Sequence, residues 1–338
     1  MIRQGMRLSG TPERFAGKAL GYLVKLGGWV CIAGAVLLPG VSRAATPTSI
    51  TACQTISSPG FYQLANALSN SGGDCIVISA SNVTLNLNGN NITQTPPGGS
   101  SSTGAGIHVL ATIPPPPGCT TDDTRKGHSR PEKCKPKPLE NVFIEGLNNT
   151  ISGFAYGIED EGRRVTVDAF SVVGGGDGLF LNNAHGGEFI NFGAESNGTG
   201  IYISGGGNNS FAAFDASFNT QYGIWIQGSD HNKVSTFSSV SNTGTLGASG
   251  GVYIGCSPTS PGDTTCSDSS KNNLVFDGDS EGNAYGIAIA PGAAGNNVAN
   301  NLTQTNSTDD LFDANANCGT NIWFADFGFT NNSPSCAQ

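Results

Sequence analysis

The chain has 338 residues, only 12% of them charged, and carries 16 Lys and Arg against 25 Asp and Glu. A net charge of −9 leaves too little basic surface to hold a polyanion, so nucleic-acid partners are excluded. Forty-nine glycines point to a chain that turns every few residues, and the strict Gly-every-third pattern of collagen is absent.

In chain order, residues 1–28 carry Arg3, Arg7, Arg14, Lys18 and Lys25, and an apolar run, Trp29 to Leu38, follows. Pro39-Gly40 break that run, and Ser42-Arg43-Ala44 places small residues before a cleavage point. This is the pattern of an export leader over residues 1–44, and it implies a secreted or periplasmic protein. Ten apolar residues are too few to span a hydrocarbon core of ~30 Å, so a membrane anchor is not expected. Loss of residues 1–44 removes six basic residues and one acidic residue, which takes the net charge to −14. Residues 45–338 then form one domain.

Eight cysteines remain in that domain as four close neighbours: Cys53/Cys75, Cys119/Cys134, Cys256/Cys266 and Cys318/Cys336. An even number in an exported chain points to disulfides, and sequential pairing is expected. No Cys-x-x-Cys or clustered histidine suggests structural zinc.

Residues 50–94 form a start cap and first coil. In them Ile76-Val77-Ile78 and Val83-Thr84-Leu85-Asn86-Leu87-Asn88 have the composition or alternation of short strands. Residues 112–137 are a proline-rich loop, with four prolines at 114–117 and six of the domain's ten basic residues. Residues 255–270 form a second inserted loop, and 314–338 a C-terminal cap.

Between these features one four-residue pattern recurs. Gly106-Ile107-His108-Val109, Gly178-Leu179-Phe180-Leu181, Gly200-Ile201-Tyr202-Ile203, Gly223-Ile224-Trp225-Ile226, Gly251-Val252-Tyr253-Ile254 and Gly286-Ile287-Ala288-Ile289 all fit it. Gly157-Ile158-Glu159-Asp160 and Asp310-Leu311-Phe312-Asp313 are diverged copies. From Gly157 to Gly286 the glycines lie 21, 22, 23, 28 and 35 residues apart, a solenoid period. Asn209, Asn232, Asn273, Asn297 and Asn321 recur near the coil starts, where stacked asparagines can share amide hydrogen bonds along the axis. The period is too short for a propeller blade, and the Leu-x-x-Leu-x-Leu frame of leucine-rich repeats is missing.

A coil of about 22 residues with three short strands is a parallel β-helix. The chain resembles the right-handed parallel β-helix proteins of the pectin-lyase-like superfamily. The resemblance rests on Ile76-Val77-Ile78 with Val83 to Gly89, on the Gly-Ile-x-Ile repeats, and on Cys318, Trp323 and Cys336, and it covers nearly all of residues 45–338. It implies an all-β, single-stranded right-handed solenoid with disulfide-stapled loops and caps. It leaves activity open, because the superfamily holds lyases, hydrolases, epimerases, binding modules and adhesive proteins.

In Gly-Ile-x-Ile the two aliphatics share the interior side of a strand and x takes the outside. Phe180, Tyr202, Trp225 and Tyr253 then form an outward aromatic ladder of roughly 14 Å at ~4.8 Å per strand, the reach of a short oligosaccharide. Aromatic rings with a polar handle suit sugars, so a secreted carbohydrate-binding β-helix is the leading expectation. The alternative is that the rings stack on each other for stability, or lie beneath an inserted loop.

Catalysis is the second expectation. The polygalacturonase-like motifs Asn-Thr-Asp, Gly-His-Gly and Arg-Ile-Lys are missing, and only Asp309-Asp310 matches that family's Asp-Asp pair. The alginate-epimerase-like Asp-Pro-His-Asp is absent. A pectate-lyase-like site requires a basic residue beside calcium-binding carboxylates, and its candidates are Arg163 or Arg164 with Glu159, Asp160, Glu161, Asp168 and Asp177. A surface ion-pair patch explains the same residues. Asp215 and Asp279 hold one offset two coils apart, with Ser238 between them, a separation of about 9.6 Å that suits paired glycosidase carboxylates. His108, His185 and His231 lie at different offsets and form no triad. A structural or adhesive surface protein is the third expectation. No cofactor is expected other than calcium, whose candidate ligands are Glu159, Asp160 and Glu161.

Overall fold

The structure is a computed structural model describing residues 46–95, 104–114, 135–244, 250–256, 270–328, 332–333 and 335–337. Short parallel strands follow one another as a right-handed solenoid with three faces. The first face runs from Thr48–Ile50 and Gly60–Leu64 through Val83–Asn86 and Glu140–Glu145 to Ile322–Phe324. The second runs from Leu68–Asn70 and Ile92–Gln94 to Leu302–Gln304 and Phe327–Gly328. Ser210–Asp215 and Lys233–Val240 pass through the corner between these two faces and join them into one 19-stranded sheet. The third face is a separate sheet of 11 strands, from Gln54–Ile56 to Asn332–Ser333, and holds every Gly-Ile-x-Ile copy.

The alternation is as the pattern requires. Ile158, Leu179, Ile201, Ile224, Val252, Ile287 and Leu311 stack in register as one buried column. Val109, Asp160, Leu181, Ile203, Ile226, Ile254 and Ile289 stack as a second. The leading glycine is required by space and not by a turn: at Gly200 a Cβ would lie 2.6 Å from the Gly223 carbonyl oxygen of the next coil.

Each corner repeats one device, a residue in the left-handed region followed by a buried ladder residue. After the first face, Ala169, Asn191, Ala213 and Thr236 have positive φ. The next residues, Phe170, Phe192, Phe214 and Phe237, stack at 4.8, 4.9 and 5.7 Å between ring centroids. After the third face, Asn209, Asn232, Asn273, Asn296 and Asn321 form a buried amide ladder in which each side-chain oxygen accepts from the backbone N–H of the coil before it. The ladder residue is Asn296, not the expected Asn297, which opens the adjacent strand Asn297–Ala299. A second ladder, Asn197, Asn219, Asn242, Asn283 and Asn306, lines the corner after the second face and ends on Asp310. Corner turns break strand pairing, and these amides satisfy backbone groups that would otherwise be buried without partners.

Disulfides join Cys53 to Cys75 and Cys318 to Cys336, closing the start and the end of the described solenoid. Cys256 is disulfide-bonded. Cys119, Cys134 and Cys266, with most of both expected inserted loops, lie outside the described residues, as does the expected leader, residues 1–44. No helix of the described residues is long and apolar enough to cross a membrane.

Candidate functional site

The outward positions of the third face fall in register as His108, Glu159, Phe180, Tyr202, Trp225, Tyr253, Ala288 and Phe312. The column divides into an aromatic half and an ionisable half.

In the aromatic half Tyr156, Phe180, Tyr202 and Trp225 stack with centroids 4.7, 5.1 and 4.4 Å apart and planes within 25°. The rings therefore cover one another's faces and leave their edges outward, as the stacking alternative for the ladder expects. Their polar handles are engaged too. The Tyr202 hydroxyl bonds Gln227, and Trp225 Nε1 donates to the Gly255 carbonyl at 3.0 Å. Phe180, Tyr202 and Trp225 are half-buried. Tyr253 leaves the exposed ladder altogether: it is 4% exposed and packs with Tyr222, Ala288 and Ala290.

In the ionisable half, His108 and Glu159 are directly paired on neighbouring strands, and Glu161 follows two residues on. His108 Nδ1 donates to Asp74 Oδ2 at 2.8 Å, and Asp74 Oδ1 accepts from the Ala105 N–H at 2.8 Å. His108 Nε2 is buried and has no hydrogen-bond partner, and it lies 3.8 Å from an oxygen of Glu159 and 3.8 Å from one of Glu161. Glu161 is steadied by Asn182 Nδ2 at 2.8 Å and by the Ala111 N–H at 3.3 Å. Burial raises the Glu159 carboxyl above its usual range; His108 opposes the rise, while Glu161 and Asp74 add to it.

Asp160 is not part of this group. It points inward, 0% exposed, between Val109 and Leu181 in the core column, so it shares no face with Glu159 and Glu161. Burial pushes its carboxyl up to about 7, partly offset by the Gly162 N–H bond at 2.7 Å.

A crevice of about 450 Å³ opens beside Glu161 and is lined by Thr112, Pro138, Arg163, Asn182 and His185. Arg163 thus joins one of the expected carboxylates. Arg164, at a left-handed corner, turns to Glu140 at 2.5 Å and Asn141 at 2.9 Å. Asp168 belongs to the first face and accepts from Asn191 at 2.9 Å. Asp177 opens a third-face strand, and burial lifts its carboxyl to about 7 against a bond from the Thr199 hydroxyl. Asp215, Ser238 and Asp279 stand in register on the second face. Asp215 bonds the Ser217 hydroxyl, and Asp279 lines an open groove of about 600 Å³ with Phe214, Phe237 and Asp277. The candidate acids therefore occupy three faces. Asp74 and His108 are the site residues that sequence reasoning left aside, although His108 and Glu159 stand as successive x residues in the repeat.

No protein-family model matches the chain, and no curated protein matches it. Solved structures do. The Dettilon tailspike protein is 15% identical, covers 82% of this chain and 51% of its own, and has a TM-score of 0.54. The enzymatically active domain of tailspike protein 2 from bacteriophage CBA120 is 17% identical over 83% of this chain and 42% of its own, with a TM-score of 0.49. A periplasmic alginate epimerase is 14% identical over 72% and 57%, with a TM-score of 0.39. The chain spans about half the length of the Dettilon tailspike it matches. The sheet topology and this tailspike match establish the fold as a right-handed parallel β-helix.

Proposed function

We propose that this is an exported protein that binds a carbohydrate polymer along its third face. The observation that carries the reading is the unbroken join between the two halves of the outward column, where Glu159 pairs with His108 on one side and Phe180 on the other. Carboxylates and an imidazole on rigid strands supply acceptors for sugar hydroxyls, and the adjoining ring edges supply an apolar wall. Stacking lets the aromatics hold one another in place, so the wall is preformed. At a net charge of −14 without the leader, a neutral polymer suits the face better than an acidic one.

Affinity electrophoresis in gels containing neutral polysaccharides tests the reading. The wild-type protein should be retarded, and Trp225→Ala and Glu159→Gln should each migrate freely. Retention unchanged in both variants contradicts it.

A second reading, cleavage of the bound polymer, is favoured by one observation: His108 is oriented by Asp74 and presents Nε2 toward Glu159. An imidazole held by a carboxylate beside a carboxyl of raised pKa is a general acid–base arrangement. Release of reducing ends by the wild type, lost in His108→Gln, supports cleavage. No release from any polysaccharide that the protein retains counts against it.

A further inference from the structure

We infer that His108, Glu159 and Glu161 form a binding site for one divalent transition-metal cation of the zinc class, with Asp74 and Asn182 as its outer supports. One ligand atom from each of the three residues lies within 4.8 Å of the others, so a single ion can reach all three after small side-chain movements.

The case begins with an electrostatic problem. His108 Nδ1 is committed to Asp74, so Nε2 is the atom that faces the two carboxylates. With the proton on Nδ1, a nitrogen lone pair and two carboxylate oxygens converge on one volume, and all three repel. With a second proton on Nε2, that proton has no acceptor in reach: 3.8 Å is beyond a hydrogen bond, and Nε2 is buried. A cation on the lone pair resolves the arrangement.

The surroundings match what metal ligands need. A ligating histidine is commonly aligned by a carboxylate on its other ring nitrogen, which is the position of Asp74. Asp74 is itself fixed by the Ala105 N–H. Glu161 is held by Asn182 and by the Ala111 N–H, so two of the three ligands are pre-oriented. His108 and Glu159 sit opposite each other on rigid neighbouring strands, which gives the precision that loops lack.

The donor set selects the class of ion. One imidazole nitrogen and two carboxylates give three protein ligands and leave a position open, the composition of a zinc-type site. Calcium takes six to eight oxygens and gains little from imidazole, so this donor set suits a zinc-class ion better than calcium. Asp160 cannot contribute, because it lies in the core on the opposite side of the strand.

The site shares His108 and Glu159 with the carbohydrate reading but does not rest on it, and it is tested without any glycan. Zinc chloride is titrated calorimetrically into metal-stripped wild-type protein, and histidine ¹⁵N–¹H correlation spectra are followed on the same sample. The expected result is one ion per chain, not displaced by a hundredfold excess of calcium chloride, with one histidine perturbed at Nε2. His108→Gln and Glu159→Gln should each weaken binding at least tenfold. The wild-type spectra keep the test decisive if a variant fails to fold. No binding, perturbation of a histidine other than His108, or zinc affinity unchanged in both variants would overturn the inference.

Discussion

At the scale of single residues, the fold depends on groups that look like surface chemistry in a one-dimensional chain. Asn242 is fully buried, and its side-chain oxygen accepts from both the backbone and the amide of Asn219, at 2.9 and 3.1 Å. Its own N–H and amide donate to Asn283 at 2.8 and 3.1 Å. Replacement by alanine leaves a buried donor unmet, which costs about 1–3 kcal/mol. Asn242→Ala should therefore lower the urea midpoint, while alanine at an exposed asparagine should leave it almost unchanged. Asp177 gives a second residue-level test. Its folded carboxyl titrates at about 7 against an ordinary 3.8, so the folded state holds its proton more tightly than the unfolded chain. The stability it contributes is fully present below about 4 and is lost as pH rises through about 7. The melting temperature should fall across that window, and Asp177→Asn should flatten the decline. A wild-type melting temperature that rises from pH 4 to 8, with no change of slope in the variant, contradicts this assignment.

At the scale of the strand and its face, alternation made the architecture legible. Ile201 and Ile203 lie in buried columns and Tyr202 lies outside, as the two-residue period requires. Two features were harder to read. The asparagine ladder was displaced by one position at Asn296-Asn297, because both residues fit the spacing and burial alone separates them. The second ladder, at Asn197, Asn219 and Asn242, has the same 22- and 23-residue spacing but no apolar residue marks its start. In the site, His108 and Glu159 were visible as successive x residues. Asp74 was not, because it lies before a strand of the preceding coil and reaches His108 across the coil spacing. Ring stacking was equally hidden: a pattern of aromatics gives their order but not whether faces or edges meet solvent. The inward and outward roles give a direct comparison. Ile203→Ala should cost about 2–5 kcal/mol through lost burial and a residual cavity. Trp225→Ala should cost less, since Trp225 is half-buried on the outside and chiefly loses its stacking partners. Equal destabilisation in chemical denaturation would contradict the division of the strand into a core side and a working side.

At the scale of the molecule, the solenoid converts a sequence period into a straight surface. Each coil adds one residue to the outward column at the spacing of parallel strands, about 4.8 Å. The insertion after Ile113 falls between Gly106 and Gly157, so it separates His108 from Glu159 by 51 positions without moving them apart in space. The chain thereby brings an acid–imidazole group and an aromatic stack onto one face, while Asp168, Asp215 and Asp279 lie on the first and second faces. The central claim is that this third face holds a carbohydrate polymer, and tryptophan fluorescence reports on it most directly. After residue 44 the chain has two tryptophans, Trp225 on the third face and Trp323, which is 8% exposed. Titration of a Trp323→Phe variant with oligosaccharides from a retained polysaccharide should give a saturable change in Trp225 emission, and Glu159→Gln in the same background should abolish it. Undisturbed Trp225 emission while the polysaccharide still retards the protein would contradict the account.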